Sequence, residues 1–192
     1  MMSIRRARPA DALMIGVVHA AVWQSAYPGI LPDSYLASLS PLRLGGFYQR
    51  AILDRREAHA VFVAVAGIED RPDTEGGIAP RVVGFASGGR ARRTGLADGE
   101  IETLYLLEDY RERGIGRRLM RAMAAHLRAV GCGSALVWVL KENPSRWFYE
   151  RLGGKIVAQD RIRVGGQQVE QVAFAWESIE SLLSATLPVQ ER

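Results

Sequence analysis

Cysteine is almost absent from the sequence. Cys132 is the single one in 192 residues, so no disulfide can form within the chain and no cysteine-rich metal site can be assembled. Lysine is nearly as scarce: Lys141 and Lys155 are the only two among 25 basic residues, and the net charge is +4. An excess so small and scattered suits a polyanionic ligand but does not make a nucleic-acid surface. Long hydrophobic runs are missing too. Stretches such as Ala60–Ala66 are strand-sized and far short of a bilayer-spanning helix, so no membrane segment is expected. The start, Met1-Met2-Ser3-Ile4-Arg5-Arg6-Ala7-Arg8, has arginines with no apolar stretch behind them before Pro9 and Asp11, unlike a secretory signal. A soluble, cytoplasmic protein is the expectation.

What is present is ordinary for a globular chain: 48% hydrophobic and 24% charged residues. A chain of this length buries about 70% of the surface its unfolded form exposes, enough for a self-sufficient core. Ile4–Ala7 alternates weakly and reads as an edge strand. A helix is predicted from Asp11 towards Trp23, broken by Tyr27-Pro28-Gly29, and Asp33 is placed to cap a short helix holding Tyr35 and Leu36. Ser40-Pro41 opens another helix, with Leu42, Phe47, Ile52 and Leu53 as its apolar side. Strands follow at Ala60–Ala66 and Arg81–Ser87, joined by a Gly67–Pro80 loop long enough to be expected mobile. Further strands are predicted at Glu100–Leu107, Ala135–Leu140, Lys155–Arg163 and Val169–Trp176, the last two turning at Gly165-Gly166. Gly114–Val130 carries Ile115, Leu119, Met123, Leu127 and Val130 at helical spacing, with Arg117, Arg118, Arg121 and Arg128 largely off that stripe. Helices are also expected over Pro144–Leu152 and after Glu177. This order gives an α+β layer with one crossover unit, not a doubly wound sheet. Residues 2–180 are expected as one domain and 181–192 as a tail.

The segment richest in chemistry is Leu104-Tyr105-Leu106-Leu107-Glu108-Asp109-Tyr110-Arg111-Glu112-Arg113-Gly114-Ile115-Gly116-Arg117-Arg118. A strand runs into a short turn, and two glycines open a helix. The first N–H groups of a helix have no intrahelical acceptor, and its start carries a partial positive charge, so such a start binds phosphates. From glycine spacing alone, an ordinary strand-to-helix turn with a solvated basic face is an equal reading. Two nucleotide motifs fail here. The dinucleotide fingerprint needs a third glycine where Leu119 stands, and the P-loop needs a Gly-Lys-Ser/Thr ending that is absent. The other arginine cluster, Arg90-Ala91-Arg92-Arg93, reads as a solvated loop.

Arg111-x-x-Gly114-x-Gly116 after an apolar strand resembles the pyrophosphate-binding signature of the GCN5-related N-acetyltransferase (GNAT) superfamily, the acetyl-CoA-dependent acyltransferases. Val137-Trp138-Val139-Leu140-Lys141-Glu142-Asn143-Pro144-Ser145-Arg146-Trp147-Phe148-Tyr149-Glu150-Arg151-Leu152-Gly153 resembles that family's strand, Asn, helix and Phe-Tyr-Glu-x-Leu-Gly ending. Three positions depart from the pattern: Glu112 where glycine is frequent, Glu108 where proline is, and Gly154 in place of an aromatic. The resemblance implies a mostly antiparallel twisted sheet of about seven strands flanked by helices. It also implies N–H groups of Arg113, Gly114, Ile115, Gly116 and Arg117, with Arg111, around the pyrophosphate of acetyl-CoA. Tyr105 and Leu106 would lie on the strand that pairs with the pantetheine arm, a backbone N–H near Leu106 would polarise the thioester carbonyl, and Asn143 would lie near the arm or cap the following helix.

By the same resemblance Tyr149 is the general acid for the departing thiolate, although beside Phe148 it would otherwise read as a core tyrosine. Glu102 looks like the glutamate that several members use, usually through water, to deprotonate the amine; a solvated carboxylate on the sheet face is the equal alternative. Glu100, two residues away, is expected on the same side. His19 and His126 are poorer bases. Trp23 and Tyr27, at i, i+4 spacing, either wall an acceptor pocket or pack in the core. Cys132 stands in no acid–base constellation, which argues against a covalent enzyme intermediate. The expected activity is acetyl transfer from acetyl-CoA to the primary amine of a small molecule, without a metal, and a homodimer is implied. The alternatives are an acetyltransferase for protein N-termini or lysines, and a non-catalytic acyl-CoA-binding module. Retention of both Tyr149 and a strand carboxylate speaks against the last.

Overall fold

In the computed structural model, residues 1–54, 58–67 and 81–188 are described; the expected mobile loop falls almost wholly outside them. Seven strands form one sheet in the order β1-β2-β3-β4-β5-β7-β6. They are β1 Ser3–Arg6, β2 Ala60–Ala66, β3 Arg81–Arg90, β4 Gly99–Leu106, β5 Ala135–Leu140, β6 Lys155–Val164 and β7 Gln167–Trp176. Every neighbouring pair is antiparallel except β4–β5. The helices are α1 Ala12–Ala26, α2 Asp33–Ala37, α3 Pro41–Leu53, α4 Ile115–Ala129, α5 Arg146–Arg151 and α6 Ile179–Ala185.

The apolar pattern places the layers. On one sheet face α4 buries Ile115, Leu119, Met120, Met123 and Leu127, and α6 adds Leu182 and Leu183. The division expected after residue 180 therefore falls inside a helix whose apolar side belongs to this core. Cys132 is buried in the same cluster, and burial pushes its thiol up, as befits a small packed residue. On the other face α1 sets Ile15, Val18 and Val22 against Val61, Val63 and Phe85.

Two helix readings are corrected. Asp33 does not cap α2 but is its first residue, behind Pro32, where its charge favours the helix's positive end. Ser40 caps α3 as expected, accepting from Arg43 N–H at 3.3 Å. The apolar side expected for α3 is largely solvent-facing, with Leu42, Phe47 and Leu53 at 75%, 55% and 65% exposure, while Gly45 and Tyr48 are buried. The cause is a backbone contact: at Gly16 and Gly45 the two helices approach so closely that side chains are excluded, and glycine leaves no mark in an apolar pattern.

Candidate active site

The β4–β5 pair is short. Gly99, Glu100 and Ile101 pair with Ala135, Leu136 and Val137, and there the pairing stops, although β4 continues to Leu106 along β3 and β5 to Leu140 along β7. Beyond Ile101 the two strands present unpaired edges to one another across a gap. Leu107 N–H donates to Val83 O at 2.9 Å. Strand alternation then turns the N–H and C=O of Leu106 and Leu104 away from β3, into the gap. The same logic, from Lys141 N–H on Glu170 O at 2.9 Å, turns Trp138 and Leu140 into it from the other side.

A bulge decides where the β4 carboxylates go. Ser87 opposes Thr103 but Gly88 opposes Ile101, so Glu102 is the extra residue. Ile101 packs on the α4 side, whereas the Thr103 hydroxyl bonds Ser87 Oγ at 2.7 Å and faces Tyr48 of α3; without a bulge, residues two apart would share a face. Glycine at 88 is required here, since a Cβ would stand 2.3 Å from the Glu100 carbonyl oxygen. Glu100 is 4% exposed and both its oxygens are taken by Arg92, Nη2 on Oε1 and Nε on Oε2 at 3.2 Å. Glu102 is held differently, by His59 Nε2 on Oε2 at 3.1 Å, with Arg92 Nε 3.8 Å from Oε1. Burial works to raise the Glu102 pKa, but the hydrogen bond and electrostatic pull of His59, with the charge of Arg92, outweigh it and leave the group below the usual carboxylate value. The arginines of Arg90–Arg93 are solvent-exposed, as expected, yet two of them also pair with carboxylates. Arg92 is committed to the β4 carboxylates, and Arg93 pairs with Asp160 at 2.7 Å while lying over the Trp138 ring.

The gap opens into a cleft of about 1500 Å³. At one end lies the start of α4. Gly114 adopts φ 71° ahead of it, no side chain caps it, and the first helical bond runs from Arg118 N–H to Gly114 O, so the N–H groups of Ile115 and Gly116 precede any helical acceptor. Arg111, Arg113, Arg117, Arg118, Arg121 and Arg151 line this end; three of them are tethered by carbonyls, Arg117 to Leu187, Arg118 to Met2 and Arg121 to Leu183.

The other end is aromatic. Trp23 and Tyr27 meet edge-on at 5.1 Å and Trp23 meets Tyr105 at 6.4 Å, so the pair both packs and walls the cleft. Asn143 Nδ2 donates to the Tyr27 hydroxyl at 2.9 Å while its Oδ1 accepts from Ser145 N–H, joining α1 to the turn before α5. Burial pushes the hydroxyls of Tyr27, Tyr105 and Tyr149 above their ordinary values. Tyr149 is 5% exposed, and its side chain packs near Phe148 and Phe174.

This architecture is matched by known proteins. A model of the acetyltransferase (GNAT) family matches residues 23–154. The chain belongs to the GNAT acetyltransferase family. The uncharacterized N-acetyltransferase YuaI of Bacillus subtilis (strain 168) is 33% identical over 184 residues, covering 95% of this chain and 96% of its own. Among solved structures, PaiA N-acetyltransferase from Thermoplasma acidophilum, in complex with coenzyme A, superposes with a TM-score of 0.65 at 18% identity over 89% of this chain and 98% of its own. YncA from Salmonella typhimurium, with its cofactor acetyl-CoA, gives 0.62 at 20% identity over 92% and 93%. The protein is therefore a GNAT N-acetyltransferase, with the expected α+β fold.

Of the site residues expected from sequence, Trp23, Tyr27, Glu102, Tyr105, Leu106, Arg111, Arg113, Gly114, Gly116, Arg117, Asn143 and Tyr149 all line this GNAT cleft. Ile115 does not; its side chain is in the core, which leaves only its backbone for the site. His19 and His126 stand apart. His19 bonds Tyr48 at 3.0 Å and burial lowers its pKa to about 4, and His126 Nε2 contacts the Ala58 carbonyl. Sequence reasoning missed His59 and Arg92. The signal for the bulge that brings them to Glu102 is two glycines at 88 and 89 inside a strand, although the apolar texture that marks the strand in the sequence stops at Ser87. Among the described residues no cluster of three or more His, Cys, Asp or Glu could hold a metal ion, and no helix is long and apolar enough to cross a membrane.

Proposed function

We propose that the protein transfers the acetyl group of acetyl-CoA to the primary amine of a small molecule by direct attack within a ternary complex. The observation that carries this is the unpaired edge of β4, with the Leu106 N–H turned into a cleft that ends at the arginine-lined start of α4. Acetyl-CoA fits those features: the N–H groups of Ile115 and Gly116 suit a diphosphate, and the exposed β4 edge suits an amide-bearing arm.

When bound, acetyl-CoA supplies an activated acyl group. The Leu106 N–H would donate to the carbonyl oxygen as negative charge grows there, a contribution commonly worth about 3 kcal/mol. Glu102, rather than Glu100, would take the amine's proton, directly or through water, because Arg92 occupies both oxygens of Glu100. Tyr149 would protonate the departing thiolate. Burial keeps its hydroxyl protonated, and the same dry surroundings raise the basicity of a thiolate formed beside it. A buried Cys132 thiol offers no nucleophile to the cleft.

A small acceptor is supported by the closed far end. Gln167 Nε2 reaches the Ile30 carbonyl at 3.3 Å, and Ile162 and Val164 pack with Tyr27, Leu31 and Leu36, so the β6–β7 hairpin is docked on the α1–α2 segment where a peptide would need an open groove. The catalytic unit on this reading extends through α6.

Thermal unfolding with and without acetyl-CoA, then turnover with panels of small amines and of short peptides, tests this. Ligand at a hundred times its Kd adds about 2.7 kcal/mol, a visible shift. No shift at saturating acetyl-CoA overturns the proposal, and turnover of peptides in preference to small amines overturns the acceptor class.

A further inference from the structure

We infer that His59 is the positioning residue for the base, donating from Nε2 to Glu102 so that this carboxylate faces the cleft with one oxygen left for the acceptor's proton. The inference rests on the reading of Glu102 as base. Glu100 and Glu102 stand two residues apart on one strand, yet among the described residues only Glu102 has an oxygen to spare. Arg92 engages both oxygens of Glu100 through its guanidinium and adds its backbone N–H at 3.3 Å. On Glu102, His59 takes Oε2 at 3.1 Å, while Oε1 lies 3.8 Å from Arg92 Nε, beyond hydrogen-bond reach.

The tautomer follows from what surrounds the ring. His59 Nδ1 is buried and has no hydrogen-bond partner among the described residues. A proton there would be a buried donor without an acceptor, so in the neutral ring the proton belongs on Nε2, pointing at the carboxylate. The sheet supplies the placement. His59 immediately precedes Ala60, which pairs with Gly88 of β3, and Gly88 pairs with Ile101 beside the bulge. Between His59 and Glu102 the intervening strand carries Gly88 and Gly89, which project no side chain into the path. The groups around the pair come from four elements: Arg92 of the β3–β4 loop, Glu100 of β4, Tyr48 of α3, and Arg6 of β1 with Arg8 just beyond it, which line a smaller cavity together with His59.

The test uses the full-length protein with acetyl-CoA and the best small amine, comparing His59→Ala, His59→Gln, Glu102→Gln and the double variant His59→Ala/Glu102→Gln. His59→Ala should lower kcat about tenfold, the scale of one lost hydrogen bond to a charged group, with the acetyl-CoA thermal shift unchanged. Loss of the donor raises the Glu102 pKa, so the acid limb of kcat/KM should move to higher pH. His59→Gln, whose amide nitrogen can occupy the place of Nε2, should restore most of kcat and return the acid limb. In the Glu102→Gln background His59→Ala should cost nothing more. An unchanged kcat and acid limb in His59→Ala, or an equal further loss in the Glu102→Gln background, overturns the role of His59. Wild-type activity in Glu102→Gln instead overturns the base reading itself, a separable result.

Discussion

Replacing His19 by asparagine should remove a loss of stability that the wild-type protein suffers on mild acidification. His19 lies on α1 among the rings of Trp23, Tyr48, Phe85 and Tyr105, and its Nδ1 is 3.0 Å from the Tyr48 hydroxyl. Burial lowers its pKa from 6.5 to about 4. Between these values the unfolded chain binds a proton that the folded chain refuses, so stability falls as pH drops through 6.5 and the loss is complete only below the folded value. The whole shift corresponds to about 3 kcal/mol at 1.36 kcal/mol for each pH unit, of which about 2 kcal/mol is already lost at pH 5.0. Asparagine cannot titrate, and its Oδ1 can still accept from Tyr48. Its packing defect lowers stability at every pH alike, so the slope is the readout. Urea unfolding of both proteins at pH 7.5 and 5.0 should give a wild-type loss larger than the variant's by about 2 kcal/mol. Equal losses in the two proteins would refute the argument that a neutral imidazole is enforced by burial.

Three further outcomes are expected. Tyr149→Phe should reduce kcat about a hundredfold while leaving the acetyl-CoA thermal shift intact, because only proton donation is removed; a variant as active as wild type sinks its role as acid. Gly16→Ala should destabilise by about 3 kcal/mol, since the new Cβ would lie 2.2 Å from the Pro41 carbonyl oxygen and 2.6 Å from the Gly45 nitrogen; a loss under about 1 kcal/mol in urea unfolding would mean that α1 and α3 separate easily. Glu112 holds a left-handed φ of 62°, so Glu112→Gly should be more stable than Glu112→Ala by about 1 kcal/mol, the ordinary cost of that conformation for a residue with a Cβ. Equal Tm values for the pair would dismiss the strain.

Much of this molecule was determined locally. Alternating or valine-rich stretches, a serine–proline helix start and the Gly165-Gly166 turn gave seven strands and the main helices, because each depends on residues adjacent in the chain. The start of α4 was equally legible: two glycines after an apolar strand state a backbone requirement that a single short segment satisfies. The third departure noted, Gly154, is explained only by a tertiary contact, with Trp176 Cζ2 of β7 2.9 Å from where its Cβ would be.

The tertiary structure alone decided the rest. Which face of α3 is buried depended on two glycines meeting across a helix crossing, and a contact made by the absence of side chains leaves no hydrophobic period. Whether Trp23 and Tyr27 pack or line a pocket had no answer in their spacing, because the i, i+4 pair does both once Asn143, 116 residues away, bonds the Tyr27 hydroxyl. The difference between Glu100 and Glu102 came from strand pairing. A one-residue bulge on β4 and the arrival of His59 from just before β2 and Arg92 from a loop commit both oxygens of one carboxylate to an arginine and give the other a hydrogen bond from a histidine. Sequence fixes which groups are available; only the register of strands far apart in the chain fixes which of them meet.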